Sequence, residues 1–179
     1  MKILISPAKS LDFKSTLPTN THTQPAFLNE AVQLNASLKT KSPAELQKLM
    51  HISEKLATLN WERNQQFTTP FTNDNARPAV FAFNGDVYSG LDAYSFSENA
   101  LDIVQHNLRI LSGLYGILKP LDLIQPYRLE MGTSFGLSGQ KTLYAFWKEQ
   151  LTTHLKNELS SSELVVNLAS KEYASAIDF

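Results

Sequence analysis

Four short apolar runs, each bounded by polar or turn residues, predict buried β-strands. They cover Lys2 to Ile5, Pro78 to Phe83, Arg109 to Gly113 and Leu164 to Leu168. Continuous apolar runs of this length are typical of strands that are covered on both faces. Between these runs, apolar residues recur every three or four positions, which is the period of an amphipathic helix.

The helical segments alternate with the strands along the chain. Helix starts are indicated at Ser42, where Pro43 and Glu45 follow, and at Ser53, Ser97 and Ser170. The clearest apolar stripes are Phe27, Ala31, Leu34 and Leu38, and then Leu143, Phe146, Trp147, Leu151 and Leu155. This alternation predicts an α/β fold: a single domain over residues 1–179, with a mixed, partly parallel sheet flanked by helices.

Polar side chains collect where the predicted strands end, at residues 6–12, 84–86, 112–116 and 167–172. If the first, second and fourth strands are parallel, these ends converge on one edge of the sheet. The cleft formed there would hold the cations Lys9, Arg128 and Lys171 and the carboxylates Asp12, Asp86 and Glu172. Such a mixed cleft suits a phosphate-bearing ligand.

The segment from Leu108 to Thr133 has the most unusual composition of the chain. Gly113 and Gly116 can present backbone amides to a phosphate, although their spacing matches no nucleotide-binding loop. A second interpretation is a helix-hairpin-helix element over residues 108–124, with its hairpin at residues 115–117 and Pro120 at the start of the second helix. Further on, Arg128 can either bind a phosphate or form an ion pair with Glu130 or Asp122.

Composition narrows the function classes. The 16 basic and 17 acidic residues give a net charge of -1, so an anion-binding surface must be local. Cysteine is absent, which excludes disulfides and thiolate chemistry and suits the cytoplasm. No signal peptide or membrane span is indicated. Because the four histidines are scattered and no catalytic motif is present, we predict no metal and no cofactor. The near-neutral charge and the lack of an apolar span predict no membrane partner.

Four motifs taken together identify a resemblance. They are SPAKSLD at residues 6–12, FNGDVYSGL at 83–91, LSGLYGILKPLDLIQPYRLEMGT at 111–133 and NLASKEY at 167–173. The chain resembles the YaaA-type peroxide stress resistance proteins, a bacterial family, over essentially its whole length. Members of that family are longer and have a basic stretch near the C-terminus, so the resemblance implies a single YaaA-like domain that lacks the family's C-terminal part.

The resemblance implies a cytoplasmic protein that binds DNA and limits hydrogen peroxide damage by lowering available intracellular iron. Its expected phosphate or nucleic-acid contacts are Lys9, Gly113, Gly116, Lys119, Arg128 and Lys171. The family brings no established catalytic residues, so catalysis is left open, with Lys9, Asp12, Asp86 and Glu172 as candidates. The alternative is an enzyme that acts on a nucleotide, a nucleobase or a small phosphorylated ligand. Direct iron storage is disfavoured because ferrous storage sites need histidines clustered with carboxylates, and the four histidines are scattered outside the motifs.

Overall fold

The main sheet of the protein has four strands, seen in a computed structural model that describes residues 1–179. These strands are β1 (Lys2–Ile5), β5 (Leu108–Ser112), β6 (Gly116–Leu118) and β8 (Val165–Asn167), in the order β6-β5-β1-β8. β1 is parallel to both β5 and β8, and β6 is antiparallel to β5. The predicted mixed, partly parallel sheet is therefore confirmed.

Two further sheets consist of two short strands each. β2 (Ser10–Leu11) pairs antiparallel with β4 (Phe83–Asn84), and β3 (Arg77–Pro78) pairs antiparallel with β7 (Leu123–Ile124). The first of these pairs joins the loop that follows β1 to a distant part of the chain. It thereby fixes the position of the polar residues just before β2.

Eight α-helices surround the strands. They are α1 (Leu28–Lys39), α2 (Pro43–Met50), α3 (Glu54–Gln66), α4 (Ala79–Ala82), α5 (Asp86–Leu91), α6 (Glu98–Asn107), α7 (Leu143–Glu158) and α8 (Lys171–Ala174). α1 and α2 both pack on α3, α6 packs against β1 and β5, and α7 packs against β6. The helices predicted from apolar stripes are thus confirmed.

Side-chain caps explain where several helices begin. In α2, the Ser42 hydroxyl accepts a hydrogen bond from the Glu45 backbone N–H, and the Glu45 carboxylate accepts one from the Ser42 N–H. The side chains of Ser53 and Ser97 accept the corresponding bonds in α3 and α6. Ser170 occupies the cap position of α8 as predicted, but its side chain makes no capping hydrogen bond.

Alternate residues of β1 face different helices. Leu4 is paired in register with Arg109 of β5, whose guanidinium reaches Glu158 of α7. Ile3 and Ile5 point to the opposite face, because side chains alternate along a strand. Helices therefore lie against both faces, and the main hydrophobic core contains 34 buried residues.

The predicted strand at Pro78 to Phe83 is wrong. Residues Ala79–Ala82 form a single helical turn, and only the flanking pairs of residues are strands. A short apolar run does not distinguish a buried strand from a buried helical turn. Here Pro120 and Asp122 carbonyl oxygens accept the N–H groups of Val80 and Ala79, which leaves the turn no place in the main sheet. The parallel strands are instead the first, third and fourth predicted ones.

The helix-hairpin-helix interpretation of residues 108–124 is also wrong. The segment contains no helix, because β5 and β6 form an antiparallel β-hairpin and β7 follows. Leu108 to Ser112 is buried at every position, which is typical of a central strand and not of an amphipathic helix. The strand that we predicted at Arg109 to Gly113 is confirmed.

Candidate functional site

The loop between β1 and β2 is the meeting point of distant segments of the chain. The Ser6 hydroxyl accepts a hydrogen bond of 2.9 Å from the Ser170 backbone N–H, and the Tyr88 hydroxyl donates one of 2.9 Å to the Ser6 carbonyl oxygen. Ser10 pairs with Asn84 through the β2–β4 ladder. Residues near the start of the chain are therefore held against segments from its middle and its end.

One carboxylate in this region binds two cations. Glu130 Oε2 lies 2.9 Å from Lys9 Nζ, and Glu130 Oε1 lies 2.9 Å from Arg128 Nη2. The Lys9 side chain is 66% exposed, whereas those of Arg128 and Glu130 are 16% and 24% exposed. Lys9 therefore stands at the solvent side of the group, and Arg128 forms its inner wall.

The hydrogen-bond donors of the Arg128 guanidinium are only partly paired. Its Nε atom is buried and has no hydrogen-bond partner in the protein. Nearby, burial and the positive charge of Arg128 lower the pKa of Arg63. The two guanidinium groups are thus close enough to repel each other, and Glu130 is the carboxylate that pairs with Arg128.

An open cavity of about 440 Å³ lies beside this group. Eight of its ten lining residues are not hydrophobic. The complete lining is Lys9, Leu49, Met50, His51, Arg128, Glu130, Gly132, Thr133, Ser134 and Glu172. Because it contains cations, hydroxyl groups and carboxylates together, this polar cavity can bind a polar, anionic ligand of moderate size.

Glu172 forms part of the cavity wall and also fixes its shape. Its Oε1 atom accepts a hydrogen bond of 2.8 Å from the Gly132 backbone N–H. Gly132 lies four residues after Arg128, so this hydrogen bond joins the segment from Arg128 to Gly132 to α8. Glu172 is consequently the predicted carboxylate that the structure brings together with Lys9 and Arg128.

A smaller recess of about 60 Å³ adjoins the polar cavity and has two tyrosines in its wall, Tyr127 and Tyr173. Burial is the main cause that raises the pKa of both phenols far above the ordinary value. The Tyr127 hydroxyl shares a hydrogen bond of 2.7 Å with the Ser112 hydroxyl. Both phenols are therefore neutral near pH 7 and offer an O–H group, not a charge.

Asp12 lies in a different environment from Glu172. Hydrogen bonds from the Ser15 hydroxyl and from the backbone N–H groups of Lys14 and Ser15 lower the pKa of Asp12 to about 2. Its side chain therefore closes a local turn. It lines a separate cavity of about 160 Å³, together with Asp92 and Tyr94. Neither its position nor its low pKa suits a general base that works near pH 7.

The remaining predicted site residues lie outside the polar cavity. Asp86 and Lys171 are exposed and belong to none of its walls. Lys119 lies at another location, where its Nζ atom is 3.7 Å from Glu158. Gly113 and Gly116 are buried within the β5–β6 hairpin. Of the predicted contacts, the structure thus unites Lys9, Arg128 and Glu172.

A second large cavity, of about 450 Å³, is apolar. Nine of its ten lining residues are hydrophobic, and Asn107 is the polar one. It lies between β1 and α6, where Ile3, Ile5 and Ile103 contribute to its wall. This groove offers no cation to a phosphate, so the polar cavity is the better candidate for the functional site.

Two further structural findings concern metal ions and membranes. It has no group of three or more histidine, aspartate or glutamate side chains arranged to hold a metal ion. Its helices are too short or too polar to cross a membrane.

Comparison with known proteins identifies the family. A sequence model described as "Peroxide stress protein YaaA" matches residues 1–179. The chain belongs to the YaaA family. It is 60% identical over 178 residues to a UPF0246 protein of Flavobacterium psychrophilum, with 99% of this chain and 71% of that relative covered. It is 53% identical over 179 residues to a UPF0246 protein of Alteromonas mediterranea, with 99% and 69% covered.

The assignment confirms the resemblance seen in the four motifs, and it gives the protein a place among peroxide stress proteins. Each of the four motifs contributes to the meeting point around Ser6 or to the polar cavity. Motifs that are far apart in this sequence are thus adjacent in the fold.

Several residues of the site were not among the predicted contacts. Glu130 appeared in the sequence as an alternative ion-pair partner of Arg128, and the structure confirms that pair. His51, Thr133 and Ser134 also line the polar cavity. The left-handed backbone of His51, with φ of 52°, ends α2 at the cavity wall. A polar residue directly after a predicted helix was the available signal for it.

Proposed function

We propose that this YaaA family member binds DNA, and that it limits hydrogen peroxide damage by lowering the iron available in the cytoplasm. Membership of the peroxide stress family supports the role in peroxide resistance. The observation that supports nucleic-acid binding is the presence of Lys9 and Arg128 in the wall of one polar cavity. Lysine and arginine are the side chains that most often contact phosphates of DNA.

The proposed DNA binding must depend on a local group of cations, because the overall charge of the protein is close to zero. With a net charge of -1, the protein has no general attraction for a polyanion. Contacts to a few phosphates release few counterions, so the affinity should fall only moderately as salt rises. Lys119 and Lys171 lie outside the polar cavity, and they would add to binding only where the nucleic acid extends past it.

Fluorescence anisotropy with a labelled duplex and a labelled single strand, each at two salt concentrations, tests DNA binding. We expect an affinity that decreases with salt. Binding that is absent for both probes, or independent of salt, would refute the DNA-binding part. Peroxide survival and intracellular iron, measured in cells with and without the protein, test the second part. Unchanged iron levels together with full protection would refute iron limitation.

A second candidate function is an enzyme that acts on a nucleotide, a nucleobase or a small phosphorylated molecule. The concave shape favours it, since a cavity of about 440 Å³ falls in the usual size range of small-molecule sites. Glu172 is the predicted acid that lies in this cavity, with Lys9 as the exposed cation. Both functions require the same phosphate-binding wall.

The variant Glu172→Gln separates the two functions. Glutamine keeps an oxygen for the Gly132 N–H but cannot act as an acid or base. If the variant binds DNA normally but fails to protect cells from peroxide, the enzymatic function is supported. If it does both normally, Glu172 is not a catalytic residue. Asp86→Asn is the matched control, because Asp86 is exposed and lies outside the polar cavity.

A further inference from the structure

We propose that the Glu130 carboxylate occupies the place of a phosphate group between Lys9 and Arg128, and that phosphate-bearing ligands bind by displacing it. The inference rests on the proposed function, because it assumes that the polar cavity binds phosphate. Each oxygen of the carboxylate serves one cation, at 2.9 Å in both cases. A phosphate group offers the same pair of anionic oxygens to the same two cations.

Arg128 has a donor that the internal carboxylate leaves free. Glu130 contacts Nη2, whereas the buried Nε has no hydrogen-bond partner. A guanidinium presents donors in a fixed fork and binds phosphate most strongly through two parallel hydrogen bonds. A ligand that engages Nε together with Nη2 would remove the cost of a buried, unsatisfied donor. Of these two donors, the Glu130 carboxylate accepts a hydrogen bond from Nη2 and none from Nε.

The local charge also favours a ligand with more negative charge than one carboxylate. Glu130 faces Lys9 and Arg128, and the positive charge of Arg128 acts on Arg63 as well. Glu172, the other carboxylate of the cavity wall, already accepts the Gly132 N–H. A phosphate monoester carries up to two negative charges near pH 7 and would neutralise these cations more completely than Glu130 does.

Glu130 is placed so that it can move away. Its side chain is 24% exposed, and residues 125–130 belong to no helix or strand. The cavity of about 440 Å³ beside it leaves room for both a turned carboxylate and a ligand. Thr133 and Ser134 line the same cavity, and their hydroxyl groups can donate to the remaining phosphate oxygens.

The test compares the wild-type protein with Glu130→Gln by isothermal titration calorimetry. The probes are inorganic phosphate, adenosine monophosphate and a single-stranded oligonucleotide, so that free phosphate and nucleic acid are distinguished as sources. The variant removes the competing charge and keeps the shape of the side chain. We expect every phosphate-bearing probe that binds wild type to bind the variant about tenfold more tightly. Arg128→Gln should abolish this binding in either background.

Controls keep the result interpretable. Glu149→Gln removes one negative charge from an exposed position on α7 and should leave every affinity unchanged. Far-ultraviolet circular dichroism and thermal unfolding establish that each variant is folded. Should Glu130→Gln fail to fold, Glu130→Asp gives the second arm. Its shorter side chain keeps the charge but should no longer reach both Lys9 and Arg128, so we expect tighter binding of each probe than in wild type. Equal or weaker binding by Glu130→Asp would count against displacement.

The outcomes separate this inference from the proposed function. If wild type binds a probe and Glu130→Gln binds it equally or more weakly, Glu130 is not a competitor, while phosphate binding still holds. If no probe binds to wild type or to a Glu130 variant, both proposals are refuted. Tighter binding of phosphate by Glu130→Gln without any binding of the oligonucleotide would support the displacement and count against DNA as the ligand.

Discussion

The indole N–H of Trp147 donates a hydrogen bond of 2.9 Å to the carbonyl oxygen of Gly113. Both residues are buried, and the bond joins α7 to the end of β5. A Cβ atom built on Gly113 would lie 2.2 Å from the Leu129 carbonyl oxygen, and one on Gly116 would lie 2.9 Å from the Trp147 ring. Gly113 therefore permits close packing against the backbone at Leu129, and Gly116 permits close packing against Trp147 of α7.

Gly113→Ala should destabilise the protein by about 3 kcal/mol or more, because the new methyl group must displace backbone atoms. Urea unfolding followed by circular dichroism measures this. Gly90→Ala is the matched control, since a Cβ atom there has no neighbour within 4 Å and the site lies in α5. That change should be neutral or stabilise by up to about 1 kcal/mol. Equal effects of the two changes would contradict the packing role.

The elements predicted with most success were those with a local cause. The Ser42–Glu45 capping box and the apolar stripe of α1 need only neighbouring residues, and both are confirmed. The run at Pro78 to Phe83 failed because its conformation depends on carbonyl oxygens of Pro120 and Asp122, some 40 residues away. No periodicity within six apolar residues records such a distant partner.

Asp122 should make stability depend on pH. Burial raises its pKa to about 6, against the hydrogen bonds from Thr23 and Lys119. The folded state therefore binds this proton more tightly than the unfolded state, whose pKa is near 3.8. Stability from this group is greatest below about pH 4 and falls as pH rises to about 6.

Asp122→Asn removes that titration. Relative to the variant, the wild type should lose up to about 3 kcal/mol of unfolding free energy between pH 4 and pH 7. Urea unfolding at four pH values across this range measures the difference. Asp74→Asn, at an exposed position, serves as control and should follow the wild type. Parallel pH curves for wild type and Asp122→Asn would show that burial does not shift Asp122.

The ionisation of Glu158 should change stability with pH in the opposite direction to that of Asp122. Burial alone would raise its pKa, but hydrogen bonds from His154 and Arg109 outweigh this and lower the pKa to about 2. Its stabilising effect is therefore complete above about pH 4.5 and is lost as pH falls towards 2. Arg109 is 4% exposed and lies 2.7 Å from this carboxylate. Removal of the charge would leave a buried guanidinium poorly compensated.

Glu158→Gln should cost about 2 to 3 kcal/mol at pH 7. The difference from wild type should become smaller below pH 4, because the unfolded state then takes up a proton at this carboxylate while the folded state holds it ionised. Denaturation with urea at pH 7 and pH 3 gives both values. Glu149→Gln on the same helix is exposed and should have an effect within about 0.5 kcal/mol. A cost that is equal at both pH values would contradict the role of the charge.

The candidate site could be predicted in part. Lys9 and Glu172 follow β1 and β8, and parallel strands bring such positions to one edge, as expected. Arg128 comes from an irregular segment whose path has no sequence pattern. Its pairing with Glu130 was one of several alternatives until the structure placed the two side chains 2.9 Å apart. Asp86 lies in the same motif as Tyr88, and Lys171 lies in the same motif as Glu172. Both Asp86 and Lys171 are nevertheless exposed and lie outside the polar cavity.

Lys9→Ala should separate function from stability. The Lys9 side chain is 66% exposed, and an exposed ion pair contributes at most about 1 kcal/mol, so unfolding should change little. If Lys9 contacts a phosphate, the variant should bind DNA several-fold more weakly, and the slope of log affinity against log salt should become shallower by about one. Anisotropy titrations at several salt concentrations measure the slope. Lys171→Ala is the matched control, as an exposed lysine outside the polar cavity. An equal loss for both variants would mean that binding depends on general surface charge and not on the cavity wall.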